Sequence, residues 1–249
     1  MQKRTLIDVI LLILLYVGIS TFPVELIVLN DKLIYYIVEA LLLTACLVFV
    51  FIYIRFHRYL IPENQKPYTR LLMLFIPTAL VCFSNYIYAL CLREPIVNNF
   101  EFYSIPQAVS LILVALLEEI IFRHILLGNL EHPNKIIRIL ISAGVFALCH
   151  FTHFFSTFNP YDLIIVVYTF FLGLILGFIY CYGRSLVMCV IFHLCFNIFN
   201  SFLFEGLFVV NNPLWYYLIN GIVGLLIASY LVGLYYLRLR KSPARLDLN

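Results

Sequence analysis

Leu116-Leu-Glu-Glu-Ile-Ile-Phe-Arg-His124 lies inside an apolar run that extends from Ile105 to Leu127. A run of about 20 mostly apolar residues has the length of a membrane-crossing helix. A carboxylate near the centre of such a helix costs about 2.5–3.5 kcal/mol on insertion scales. Glu118, Glu119, Arg123 and His124 must therefore be compensated by one another or by groups from other helices. The whole chain agrees with a membrane reading of this run. It has 249 residues, of which 64% are hydrophobic and 12% charged, and a mean hydropathy of +1.02. A soluble domain is nearer half apolar and a quarter charged. A water-soluble globular enzyme is excluded, and the fold class is all-α: a polytopic membrane protein forming one domain over residues 1–249. There is no soluble domain, internal repeat or low-complexity segment.

Working outward from this run, the hydropathy predicts eight transmembrane helices, at 5–28, 33–54, 71–92, 105–128, 136–155, 161–182, 185–204 and 214–237. The fifth and sixth are joined by a very short turn. Lys3 and Arg4 ahead of the first run resemble a signal sequence. No small-x-small cleavage site follows, and Pro23 and Glu25 close the run, so a retained span is expected. With both termini cytoplasmic, Lys3, Arg4, Arg55, Arg58, Lys66, Arg70, Lys135, Arg138, Arg184, Arg238, Arg240, Lys241 and Arg245 all fall on the cytoplasmic side. Only Lys32 and Arg93 fall on the other, which is the asymmetry that orients membrane helices.

The basic tail Arg238 to Lys241 reads as an anchor on an anionic leaflet of the lipid bilayer, and no nucleic-acid partner is expected. Tyr35, Tyr36, Tyr161, Tyr216, Tyr217, Tyr235 and Tyr236 lie at predicted span ends, where aromatic rings anchor to the interface. The seven Cys are scattered without metal or disulfide spacing, and read as small apolar fillers.

Three polar constellations remain within the spans. Glu119 and Arg123 are four residues apart, share a helix face and can pair, while Glu118 points about 100° away. One carboxylate can then be structural and the other free for proton transfer. A buried ion pair that only fixes helix register is the plainer reading, and two adjacent carboxylates exceed what register needs. Phe146-Ala-Leu-Cys-His150 lies on the fifth span; a lone intramembrane His is as often a packing residue as a catalytic one. His153 lies nearer the span end, and neither it nor His124 acquires a role. On the seventh span, His193 and Asn197 share a face and can aim two donors at one point. Asn200 is placed on nearly the same face. At 1.5 Å per residue, Glu118, His193 and Asn197 lie about 12–18 Å from the cytoplasmic end of their spans and His150 about 21 Å, a mismatch that a shifted fifth span would remove.

Peptide hydrolysis needs an activated water, a proton carrier for the leaving amine and donors for the tetrahedral oxyanion. These constellations can supply each part. Glu118, His150 and His193 could also make a zinc site of one Glu and two His, although no HExxH occurs. A proton-coupled transporter would use buried Glu and His as a relay, but the two halves of the chain lack repeat symmetry. A non-catalytic scaffold or immunity protein would have no need of the full set.

Together, Glu118-Glu119-x-x-x-Arg123, Phe146-x-x-x-His150 and His193-x-x-x-Asn197 on successive spans resemble the CaaX-protease and bacteriocin-processing family, the Abi or CPBP group of intramembrane endopeptidases. The resemblance covers about residues 105–204, the family-like catalytic core, in the family's motif order and with no departure at a motif position. The eight-span count agrees with the family as well. The resemblance implies that Glu118 is the general base on water with His150 assisting, that Glu119 and Arg123 shape the site, and that His193 with Asn197 binds the oxyanion. It favours a glutamate-dependent enzyme without a cofactor over a zinc one. It also implies a bacterial plasma-membrane protein whose substrate is a small peptide precursor or another membrane protein, not a prenylated one. Substrate identity and oligomeric state stay open.

Overall fold

The computed structural model describes residues 3–21, 31–57, 68–101, 103–152, 154, 158–209 and 213–239. Among them there is no strand, and the one isolated bridge is antiparallel, between Ile96 and Phe208. The helices are α1 (Lys3–Ser20), α2 (Lys32–His57), α3 (Tyr68–Cys82), α4 (Ser84–Leu92), α5 (Ser104–Glu118), α6 (Lys135–Cys149), α7 (Asp162–Gly183), α8 (Leu186–Asn197), α9 (Leu203–Leu207) and α10 (Pro213–Leu234). Three π-helical segments extend them: Glu119–Leu127 continues α5, Ile198–Phe202 links α8 to α9, and Tyr235–Leu239 continues α10.

The starts of α2, α6 and α8 are set by short polar side chains that accept from exposed amides of the first turn. Asp31 accepts from Leu33 N at 2.9 Å, Asn134 from Ile136 N at 2.9 Å and Ser185 from Met188 N at 3.1 Å. α7 ends at Arg184, which takes the left-handed conformation with φ 52° and turns the chain directly into α8.

Among the described residues, five helices are long and apolar enough to cross a membrane: Lys32–Phe56, Ser104–Leu127, Asp162–Gly183, Leu186–Leu207 and Leu214–Leu237. Ile7–Ile19 is a shorter apolar helix. Three of the eight predicted spans are therefore not among the five: 5–28, whose described apolar helix is Ile7–Ile19, 71–92 and 136–155. The stretch 71–92 is split at Phe83 into α3 and α4, after a helix that already contains Pro77. The fifth is a helix of 15 residues that stops at Cys149. Pro23 and Glu25, the basic residues Arg58, Lys66, Arg240, Lys241 and Arg245, and His153 lie outside the described residues. All seven Cys are free thiols: Cys46, Cys82, Cys181 and Cys189 are buried, Cys149 and Cys195 half-buried, and Cys91 exposed.

α7 is the central post, packed against α3, α6, α8 and α10, while α2 pairs with α5 and α1 lies against both α2 and the π-helical segment that follows α5. One continuous apolar core runs through these helices, with Phe122, Phe146, Phe178 and Phe192 among its largest fully buried members. Their outer faces carry exposed Leu41, Phe56, Ile76, Leu148 and Leu226, as lipid contact demands.

Gly173 and Gly177, one turn apart on α7, allow α6 to come close. A Cβ at Gly173 would lie 3.0 Å from the Ala143 Cα, and one at Gly177 would lie 2.8 Å from Ile139 Cγ2. Small residues at this spacing are the usual means by which membrane helices approach. Gly173→Leu is expected to force α6 away and destabilise the protein by about 1–3 kcal/mol or more, the range for overpacking. Thermal unfolding in lipid nanodiscs would show it as a lowered midpoint, with Gly144→Leu as the comparison because a Cβ at Gly144 meets nothing within 4 Å.

Candidate active site

The site is built where α5 changes its winding. The helix is α-helical through Glu118 and π-helical from Glu119 to Leu127. A π-helix is rare and is found mostly where function or packing holds it in place. Here it carries Glu119, Arg123 and His124, with relative exposures of 0%, 0% and 4%. The wider turn still lets residues four apart meet: Arg123 Nε stands 3.2 Å from Glu119 Oε2. The Arg123 guanidinium also lies over the Phe146 ring, 4.7 Å from its centroid, an attraction that strengthens away from water.

Glu118 is 1% exposed and receives groups from three other helices. The Tyr16 hydroxyl of α1 donates to its Oε1. His193 of α8 brings Nε2 to 3.4 Å from Oε2, and His150 at the end of α6 brings Nε2 to 3.9 Å from Oε1. His193 joins the two carboxylates, because its Nδ1 is 2.9 Å from Glu119 Oε1. Arg123, Glu119, His193 and Glu118 thus form a continuous buried chain of charge-bearing groups.

His150 is held by its own helix. Its Nδ1 lies 3.0 Å from the Phe146 carbonyl, which can only accept, so Nδ1 carries the proton and Nε2 faces Glu118. Its side chain is 17% exposed, against 4% for that of His193 and 2% for that of Glu118. Because α6 stops at Cys149, His150 reaches Glu118 from a helix end and not from deep in a full-length span. Phe146 packs edge-on against the rings of His150, His193 and Phe122, with centroid separations of 4.7, 6.0 and 5.2 Å, and so fixes the angles of both imidazoles.

Glu118, Glu119, Arg123, His150 and His193 are thereby brought together from three of the predicted spans. Asn197 sits half-buried one turn beyond His193 and enters none of these contacts. Asn200 departs from its expected place. The backbone becomes π-helical at Ile198, the 3.6-residue periodicity is lost, and Asn200 bonds instead with Ser84, Asn85 and Asn220.

Tyr16 was not legible as a member of the site. Its only sequence signal is a Tyr within the body of an apolar run, away from the span ends, on a face shared with the buried Val9 and Leu12. Among the described residues, no three His, Cys, Asp or Glu side chains stand in an arrangement that could hold a metal ion.

The model of one protein family, type II CAAX prenyl endopeptidase Rce1-like, matches residues 102–199. That segment contains Glu118, Glu119, Arg123, His150, His193 and Asn197. No curated protein sequence matches the chain.

Proposed function

We propose that this multi-pass membrane protein, matched to CAAX endopeptidases over the segment that carries these carboxylates and imidazoles, is an intramembrane endopeptidase using Glu118 as its base. The observation that carries the reading is the buried Glu118, ringed by Tyr16, His150 and His193. A water placed between Glu118 and His150 would lose a proton to the carboxylate as its oxygen adds to the scissile carbonyl. The carbonyl π electrons would move onto oxygen, giving the tetrahedral oxyanion. Donors at His193 and Asn197 would stabilise that charge in a site of low polarity. Collapse of the intermediate would expel the amine, which takes the proton held by Glu118, with His150 as the alternative carrier.

The supporting residues have distinct tasks. Glu119, paired with Arg123, accepts from His193 Nδ1 and holds that ring in place. To donate to the oxyanion through Nε2 while Nδ1–H donates to Glu119, His193 would carry a proton on each nitrogen during the reaction, with Nε2–H turning from Glu118 to the new oxygen. Tyr16 would hold the Glu118 carboxylate in one rotamer. A hydrogen bond to a charged group is worth about 1.5–3 kcal/mol. Tyr16→Phe is therefore expected to slow cleavage by about tenfold or more and to lower the thermal midpoint by several degrees, at about 2–4 °C per kcal/mol.

The substrate would be a membrane-associated peptide or protein, and a bacterial plasma membrane is the proposed location. Comparing the membrane peptides of cells carrying wild-type and Glu118→Gln protein tests the activity and identifies the substrate together. Peptides that depend on Glu118 are the expected result, and identical peptide profiles would remove the enzymatic reading. Prenylated and unmodified products are distinguished by mass in the same experiment. Metal dependence is tested separately, on the purified protein with a peptide so identified. Under the glutamate mechanism, cleavage is expected to survive chelation at full rate. Loss on chelation with recovery on adding zinc would establish the zinc-dependent alternative.

A further inference from the structure

A second buried polar cluster lies where α4, the π-helical segment Ile198–Phe202 and α10 meet, and the chemistry at Glu118 does not use it. Ser84, Asn85 and Asn200 are each 3% exposed and Asn220 is 6% exposed. Ser84 Oγ donates to Asn220 Oδ1 at 2.8 Å, and Asn200 Nδ2 donates to the same oxygen at 2.6 Å. The Asn85 backbone N–H donates to Asn200 Oδ1 at 3.1 Å, and Asn85 Nδ2 to the Asn200 carbonyl at 3.0 Å. Each bond consumes a donor. Asn85 Oδ1 is buried and has no hydrogen-bond partner among the described residues. Its identity as oxygen is fixed, because the other end of the amide faces a carbonyl, which can only accept.

Asn85 lines a cavity of about 70 Å³, together with Tyr168, Asn200, Glu205, Tyr217 and Asn220. Among the described residues, no Lys or Arg lines it. Exposed Glu205 also lines a wider cavity of about 260 Å³ with Lys32, Asn99 and Gln107, so one carboxylate stands at the border of both. A cluster that served only to lock helices together would satisfy its own groups and leave no space, since an unmet buried acceptor costs about 1–3 kcal/mol. This one leaves an amide oxygen, a carboxylate and room. Its chemistry calls for a donor-rich cation.

Asn200 follows His193 by two helical turns, about 10 Å along the axis, and Phe196 between them lines the same cavity. A side chain of an extended peptide whose scissile bond lies at Glu118 can cover that distance. We infer that this cavity is a specificity subsite for a Lys or Arg side chain of the substrate, with Asn85 Oδ1 and Glu205 accepting its N–H groups. The link to a substrate rests on the endopeptidase reading, while the cation site stands on the cavity itself.

The test uses the full chain in lipid nanodiscs, with n-butylammonium and n-butylguanidinium as side-chain probes and thermal unfolding as the readout. n-Butanol and sodium chloride are the neutral and inorganic controls. A binder of the native state raises the midpoint in a saturable way. The expected result is a saturable rise with both organic cations and none with n-butanol. Glu205→Gln and Asn85→Leu should each need at least tenfold more probe. Glu118→Gln should respond as wild type does, so a failed endopeptidase reading and a failed subsite are seen separately. Glu205→Gln decides the matter if Asn85→Leu does not fold. No saturable rise, an equal response to n-butanol, or an unchanged response in Glu205→Gln would overturn the subsite. A rise of the same size with sodium alone would overturn the side-chain reading in favour of an inorganic cation.

Discussion

Glu118→Gln is expected to lower the rate of cleavage by about 10²–10⁴-fold, the usual contribution of a positioned general base. The amide keeps the shape of the carboxylate and can still accept from the Tyr16 hydroxyl, so helix packing around it should survive. What it loses is the capacity to take a proton from water. The measurement is cleavage of a peptide identified from wild-type membranes, made alongside thermal unfolding of both proteins in nanodiscs. A large loss of rate with a midpoint near wild type assigns Glu118 to the chemistry. Retained cleavage would move the base elsewhere, and His150 would be the next candidate because its Nε2 lies 3.9 Å from the same carboxylate. A loss of rate with a collapsed midpoint would return Glu118 to a structural role.

The second large effect is expected at Arg123, and it falls on stability first. Arg123 and Glu119 are both fully buried, 3.2 Å apart, and the guanidinium rests on the Phe146 ring. Removing one partner of a buried pair leaves the other charge uncompensated and costs about 3–5 kcal/mol. Arg123→Met fills much of the same space, so the loss isolates charge from volume. A marked fall in the thermal midpoint is expected, and Glu119→Gln in the same chain should recover a substantial part of it. The double variant would still lack activity, because His193 Nδ1 would no longer face a carboxylate. A midpoint for Arg123→Met equal to wild type would show that the pair contributes nothing to stability. Failure of Glu119→Gln to recover any of the loss would show that Arg123 acts through Phe146 and not through Glu119.

Much of the site is legible in the sequence because membrane helices make polar residues conspicuous. A carboxylate, guanidinium or imidazole in an apolar run has few ways to be compensated, and four-residue spacing puts Glu119 with Arg123 and His193 with Asn197 on common faces. The pairing of Arg123 with Glu119 follows from spacing alone and is present. The misplacement of Asn200 shows where such reasoning stops. A single change from α to π winding at Ile198 alters which residues share a face, and no local residue pattern announces it. Tyr16 is hidden for another reason. It lies 102 positions from Glu118 in the chain, and a Tyr in an apolar run is commonly a packing residue.

By itself, the sequence determined that this is an all-helical membrane protein with its unusual charges in three motifs, because hydropathy and helical periodicity are properties of the chain near each residue. The tertiary structure alone decided that His193 stands between Glu118 and Glu119, that Tyr16 reaches Glu118, and that the helix before His150 stops short enough to deliver its ring. It also decided that Asn200 belongs to a second polar cavity. These depend on helix ends, winding and close approach between helices, such as that of α6 to Gly173 and Gly177, where a few ångströms determine which side chains meet.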